Sequence, residues 1–362
     1  MLTVPNFRAE RCVRYRYAYS ECSRCAEACP HGAVRLFDAG VELLAESCQG
    51  CALCVAVCPT DALLEKSVSS DTLLKSAGDS KRYTVSCAPS GARGDTVVPC
   101  LGAINAVTLA GFARRGIELH LAGSGHCGVC AHGATGQVMF LSNLEAREAL
   151  GAVELAGGTE TEWARLVMDE AAAGEVGNGI AASRRQLFRR MVGQGLDVVS
   201  GADEVPPPPL KAIRAAAPFL PERKELLNAI FDENAEPLRA MRHAAIPAEN
   251  WVVEQGCTNC EACVRVCPTG AMQLLEDNEA WRLVLLAERC VACDVCVEVC
   301  QPKVLRQRDA DSVVVNKQKG RLLRSIPRKR CTSCDRLFVT ENDASICQIC
   351  SSDDEDFAHI FG

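Results

Sequence analysis

The chain has 362 residues, enough for more than one domain, and a net charge of -7, which gives no global basic field for binding nucleic acid. It carries 24 cysteines but only 5% aromatic residues, a balance that suits several small metal-stapled modules better than one large core. Disulfide-dense domains are small and secreted, and no basic-then-apolar leader or apolar run of roughly 18–20 residues is visible, so a soluble protein of a reducing, cytoplasmic compartment is expected.

Residues 1–75 hold the first eight cysteines. Cys48-x2-Cys51-x2-Cys54-x3-Cys58-Pro59 is a complete run, and Cys22-x2-Cys25-x3-Cys29-Pro30 is a shortened copy. Tyr19 stands where the copy should begin, and Cys12 is the spare cysteine nearby. The proline after the last cysteine fixes φ and turns the chain away. The apolar Ala62, Leu63 and Leu64 that follow are expected to pack against the centre and dry it.

Residues 76–155 read as a small α/β domain. Tyr83 to Ser86 form a strand ending at Cys87, an apolar stretch from Cys100 to Arg115 reads as a helix ending at Gly116, and Ile117 to Leu121 alternate like a second strand. A Gly-rich loop then delivers Cys127 and Cys130. The four cysteines fall at strand ends and at a helix start, the usual edge for sites in α/β units. A helix beginning at Cys100 would favour its thiolate. Gly91 to Gly94 fit neither a dinucleotide fingerprint nor a P-loop. His120, His126 and His132 lie near this site and read as solvated or hydrogen-bonded side chains.

Residues 156–249 form a helical and Pro-rich linker region. Residues 183–188 spell a twin-arginine pattern, but it is internal and no apolar stretch follows, so export is rejected and a solvated helix face is expected. Residues 206–209 are four prolines, a stiff extended spacer. One or two further helices follow before residue 249.

Residues 250–312 repeat the first pattern more regularly, with Cys257, Cys260, Cys263 and Cys267-Pro268, then Cys290, Cys293, Cys296 and Cys300. After Cys300 the proline arrives one residue late, at Pro302, and a small local change with ligation kept is expected. Residues 313–362 begin with a basic stretch (Lys317, Lys319, Arg321, Arg324, Arg328, Lys329, Arg330). Two knuckles, Cys331-x2-Cys334 and Cys347-x2-Cys350, follow at a spacing that reads as a structural four-cysteine zinc ribbon, ahead of an acidic tail. A rubredoxin-like iron site uses the same ligands at a longer separation.

The paired runs resemble two-cluster bacterial ferredoxins, in which three close thiolates hold one [4Fe–4S] cluster and the fourth reaches the neighbouring one. The implied fold class is multidomain α+β: two ferredoxin-like 2[4Fe–4S] modules, a small α/β domain between them, a helical linker and a C-terminal zinc ribbon. The resemblance assigns Cys257, Cys260, Cys263 and Cys300 to one cluster, and Cys267, Cys290, Cys293 and Cys296 to the other. In the first module it gives Cys48, Cys51, Cys54 and Cys29 one cluster, and Cys12, Cys22, Cys25 and Cys58 the other. Two alternatives stay open there: Cys12 as a buried thiol, or a three-iron cluster. The middle spacing of Cys87, Cys100, Cys127 and Cys130 is similar to thioredoxin-like [2Fe–2S] ferredoxins and to the delta subunit of methyl-viologen-reducing hydrogenases. Structural zinc and a redox dithiol at Cys127 and Cys130 compete with that reading.

The resemblance implies a non-catalytic electron-transfer subunit of an oxidoreductase complex, with four [4Fe–4S] clusters, one [2Fe–2S] or zinc centre in the middle domain, and zinc in the ribbon. Its expected partner is a redox protein of hydrogenase, formate dehydrogenase or heterodisulfide-reductase type in anaerobic metabolism, with no small-molecule substrate. Two rivals are a thiol/disulfide reductase using the middle cysteines, and a redox-sensing regulator whose zinc ribbon binds nucleic acid.

Overall fold

The structure, a computed structural model, describes residues 4–37, 40–153, 163–169, 212–214, 216–231, 236–308, 311–316 and 320–351. The twin-arginine pattern at 183–188, the prolines at 206–209, Lys317 and Lys319 of the basic stretch, and the acidic residues after Ser351 lie outside the described residues.

The first module is closed by very short strands. Asn6–Phe7 pairs antiparallel with Leu63–Leu64, and Val34–Phe37 forms a hairpin with Gly40–Leu43. Strands of two to four residues are marginal by themselves. Their small apolar core is Val41, Cys54 and Leu63, so the cysteine itself is part of what the strands cover.

The middle domain is a four-stranded parallel sheet in the order Thr96–Val98, Arg82–Cys87, Glu118–Ala122, Leu166–Met168. Helix Ala106–Arg114 is buried from Ala106 to Ala113, as expected of a crossover helix covered on both sides. It does not begin at Cys100. Leu101–Ala103 is a single 3-10 turn, and the Asn105 side chain accepts from the Thr108 N–H at 3.0 Å to start the helix proper. Cys100 therefore meets only the N–H of Gly102 in that short turn, and burial, which raises its thiol more than that N–H lowers it, pushes it up to about 12.

Helix Gly133–Gly151 lies directly on the turn that follows Cys100. A Cβ at Gly102 would sit 2.4 Å from the backbone oxygen of Gly136, so glycine is what lets the helix approach. A Gly102→Ala protein should lose about 1–3 kcal/mol of stability and shed metal from the middle site first. Anaerobic thermal unfolding with metal analysis checks this, and unchanged metal content with unchanged unfolding would show that the helix yields without cost.

Helix Glu222–Phe231 buries Leu227, Ile230 and Phe231 against Ala106, Val107, Ala110, Ala146 and Leu150. It stands between the middle domain and both cysteine-rich modules.

In the second module Trp251–Val253 pairs with Leu305–Gln307, and Met272–Glu276 with Ala280–Leu285. The long strand Arg321–Arg330 then pairs with Ala280–Leu285, and Leu337–Val339 with Arg321–Arg330. The described part of the basic stretch, Arg321 to Arg330, is thus the third strand of the module's sheet. Its charges are met locally: Arg324 by Glu341, Arg328 by Glu276 at 3.7 Å, Lys329 by Asp343 at 3.1 Å, and Arg330 by Asp335 at 3.1 Å.

The two modules, far apart in sequence, dock against each other. Val13 and Tyr17 of the first pack with Val266, Val295 and Val299 of the second. Full burial of each valine stabilises by roughly 1.5–3 kcal/mol, so this is a packed interface and not a tether. Arg24 reaches Asp294 at 2.7 Å beside it. A strap of residues 212–214 and 216–219 stitches the seam: Ala18 N–H donates to Ala212 O at 3.0 Å, Arg214 N–H to Arg16 O at 2.8 Å, and Phe219 N–H to Pro268 O at 3.3 Å. Among the described residues, no helix is long and apolar enough to cross a membrane.

Candidate metal centres

Three of the four cysteine runs wrap the same way. In each Cys-x2-Cys-x2-Cys loop, two residues take left-handed backbone: Gly50 and Ala52, Asn259 and Glu261, Ala292 and Asp294. A non-glycine residue there costs roughly 1–2 kcal/mol, so the repetition marks a conformation the loop needs. A loop curled this way turns its sulfurs and N–H groups toward one point, the cradle a cubane requires. Another left-handed residue follows each fourth cysteine by three positions: Gly32, Asp61, Gly270 and Lys303. Lys303 occupies that place although Pro302 is late, so the displaced proline leaves the turn intact. Backbone N–H groups of Ala33, Ala62 and Ala271 donate to the sulfurs of Cys29, Cys58 and Cys267 at 3.3, 3.3 and 3.2 Å. The Cys22 loop lacks the pattern, as its missing leading cysteine foretells.

The sulfurs fall into neighbouring groups. Burial pushes Cys12 up to about 12, and like charge from Cys58 and Cys22 adds to it. Cys25, also pushed by burial to about 12, feels Cys58, Cys12 and Cys22. Cys12, Cys22, Cys25 and Cys58 thus lie together. Cys51, raised by burial to about 11, and Cys48, also raised by burial, both feel Cys29, and Cys54 is raised by burial and then by Cys51, Cys25, Cys48 and Cys29. In the second module Cys263 is pushed by burial to about 12 beside Cys257, Cys260 and Cys300. Cys290, raised by burial to about 11, and Cys293, raised by burial well above its usual range, lie beside Cys267. Cys296, raised mainly by burial, feels Cys293, Cys290, Cys267 and Cys263. Thiols held this high are protonated at neutral pH when metal-free, so ligation must displace their protons.

Each group neighbours another. Cys54 and Cys25 join the two groups of the first module, and Cys296 and Cys263 those of the second. Cys22 and Cys293 flank the same apolar seam where the modules dock. At the other end Cys51, Cys87 and Cys100 belong to one buried core, with Cys51 acting on Cys100.

The middle cysteines lie near one another. Cys87 is pushed by burial to about 11, beside Cys130 and Cys127, and Cys100 lies beside Cys87 and Cys130. Burial also raises Cys127. The loop that carries them is the 3-10 segment Ser124–Val129, with Val129 76% exposed. His120 is hydrogen-bonded to Asp169 at 2.9 Å. His132, read from sequence as solvated or hydrogen-bonded, is hydrogen-bonded to His31 of the first module at 3.1 Å, and both imidazoles lie close to the Cys51 sulfur. Burial lowers His132 to about 4, and His31 is lowered by burial too. The pair joins the middle domain to the Cys29 turn; its adjacency to that cysteine run is the one sequence signal for it.

The C-terminal knuckles are different in kind. Cys331, Cys334, Cys347 and Cys350 bring their sulfurs within 4.8 Å of one another, and Cys334 lies 3.8 Å from Cys347. A tetrahedral ion with ~2.3 Å bonds to sulfur sets its ligands about 3.8 Å apart, so these residues fit one zinc ion. Among the described residues, no three of the middle four cysteines come within that reach.

Residues 20–62 match the 4Fe-4S dicluster domain family, and residues 256–305 match a second 4Fe-4S dicluster domain. No curated protein matches the chain.

Proposed function

From these two 4Fe-4S dicluster domains, which support an iron–sulfur electron-transfer role, we propose that the chain is a non-catalytic subunit that passes single electrons along one line of centres. The line starts at Cys87, Cys100, Cys127 and Cys130. It continues through Cys29, Cys48, Cys51 and Cys54, then Cys12, Cys22, Cys25 and Cys58. It crosses the docked seam to Cys267, Cys290, Cys293 and Cys296, and ends at Cys257, Cys260, Cys263 and Cys300. The observation that carries this reading is that each cysteine group neighbours the next: Cys54 acts with Cys25 and Cys296 with Cys263, Cys22 and Cys293 border one apolar seam, and Cys51 shares a buried core with Cys100.

Each cubane would supply one-electron storage, and the protein's part is to hold sulfur, exclude water and set charge. For the middle site a [2Fe–2S] cluster is favoured over zinc, because its four sulfurs stand too far apart for one ion. The C-terminal knuckles hold structural zinc in this reading. The partner is a catalytic redox protein of the hydrogenase, formate dehydrogenase or heterodisulfide-reductase type, in the cytoplasm. A reductase using Cys127 would need a thiolate-prone sulfur, and burial acts against that. A nucleic-acid role would need a surplus of basic charge, and Arg324, Arg328, Lys329 and Arg330 are each met by a nearby acid.

The test is iron, sulfide and zinc analysis of the anaerobically purified chain, with EPR after dithionite reduction. About 18 irons and one zinc are expected, from four cubanes and one two-iron centre. About 16 irons with two zincs would make the middle domain structural. A clear shortfall in iron with alkylatable Cys127 and Cys130 would overturn the reading in favour of the reductase.

A further inference from the structure

Two of the most deeply buried side chains in the molecule are cations. Arg16 is 1% exposed and Lys224 is fully buried. Burying a charge is costly unless something of opposite sign meets it. Elsewhere this chain follows that rule with carboxylates: Arg223 is held by Asp61, Arg24 by Asp294 and Arg242 by Glu249. Among the described residues, Arg16 makes no such pair. Its Nε donates to Glu10 O at 3.3 Å, Nη1 to Ala216 O at 3.4 Å and Nη2 to Ala217 O at 3.0 Å. The Lys224 ammonium donates to Pro247 O at 3.0 Å, and Glu288 acts on it only without a hydrogen bond.

Both cations lie near one cysteine group; Asp294 and Glu249 also act on it, but those carboxylates are already paired with Arg24 and Arg242. Arg16 sits one turn after Cys12, at the docked seam, and the charges acting on it are Cys267 and Cys293. The strap whose carbonyls it holds is bonded in turn to Pro268, beside Cys267. Lys224 acts on Cys290 of the same group. Its helix is fixed there by Asn228, which donates to Glu288 O at 2.8 Å, two residues before Cys290.

We propose that Arg16 and Lys224 are the built-in counter-charges of the centre at Cys267, Cys290, Cys293 and Cys296, and that they make it the highest-potential cubane of the four. This rests on the four-cubane reading above. The reasoning is electrostatic. Taking one electron from a neighbouring cubane adds one negative charge to this centre and moves no proton. Burial alone opposes that change, because a dry site solvates the extra charge poorly. Two fixed cations stabilise the reduced state more than the oxidised one, and burial strengthens their effect. The third centre of the four, just past the seam, then holds the electron that enters from either side. The seam becomes a reservoir in the line and not merely a joint.

The experiment is a mediated redox titration of the anaerobic holoprotein followed by EPR. In the unsubstituted chain one cubane signal should titrate above the other three. Lys224→Met and Arg16→Met should each lower that signal's reduction equilibrium constant at least tenfold, ~59 mV for one electron, and leave the others in place. Arg16→Lys, which keeps the charge but loses the fork of hydrogen bonds, should restore most of the shift; a purely structural role would not be rescued this way. Four cubanes that titrate together in the unsubstituted chain overturn the proposal, whatever the variants do. So does an unmoved potential in variants with full iron. An iron count below sixteen in the unsubstituted chain instead defeats the four-cubane reading, and is seen before any titration.

Discussion

The Cys12→Ala protein is expected to lose about four of its ~18 irons per chain, together with one cubane EPR signal. Cys12 is 8% exposed, lies beside Cys58 and Cys22, and stands where the shortened run lacks its leading cysteine. It comes from outside the loop, at the start of helix Val13–Arg16, which explains why the Cys22 loop needs none of the left-handed residues of the other three. Loss of one iron would instead indicate a three-iron centre. Retention of all the iron would make Cys12 a buried thiol and leave Cys22, Cys25 and Cys58 to hold their group without it. Its neighbours magnify the effect: Arg16 follows one turn later and is bonded through Ala216 and Ala217 to the strap. Losing this centre would therefore also loosen the seam.

The second large effect is expected at Arg223. Its guanidinium donates to Asp61 Oδ1 from Nε at 3.2 Å and from Nη2 at 3.1 Å, and it also caps Ala56 O and Val55 O at 2.8 and 3.0 Å. Those carbonyls end helix Leu53–Val57, directly before Cys58. Asp61 in turn accepts from the Glu222 N–H at 2.8 Å, so the pair ties the first module to helix Glu222–Phe231 from both directions. Both side chains are about nine-tenths buried. Removing one partner of a buried pair strands the other, at about 3–5 kcal/mol. Arg223→Ala should lower the urea midpoint of the anaerobic holoprotein accordingly. Arg223→Ala with Asp61→Ala should cost clearly less than the two single changes added together, because neither charge is then left alone. Strict additivity would show that the two groups do not act as a pair.

Much of the candidate site was readable because ligand spacing is local. Cys48 to Cys58 and Cys257 to Cys267 spell their loops within eleven residues, and the structure curls those loops as their common spacing implies. The strand ending at Cys87 and the strand before Cys127 were equally plain from alternation. The helix start was misplaced because the apolar run continues unbroken from Leu101 through the turn. Asn105, a residue type that favours caps, was the overlooked signal. What sequence did not disclose depends on distant partners. Nothing near Arg16 announces that it meets Ala216 and Ala217, about two hundred residues away. Nothing near Arg321 announces that its strand will extend a hairpin ending at Leu285. Likewise, the imidazole contact of His31 with His132 forms where helix Gly133–Gly151 packs near Leu53 of the first module.

The docked seam also constrains how the protein is made. Val13 and Val295 belong to opposite ends of the chain, so their contact closes only after nearly everything between them exists. Contacts of such separation form late and slowly. Cys290 and Cys296 are covered by the core of their own module, each less than a tenth exposed, while Cys293 borders the seam. Iron and sulfide are therefore expected to enter before that core closes over its thiols, since ligation and folding are coupled. The seam, which needs both modules complete, is then the last joint of the molecule to form.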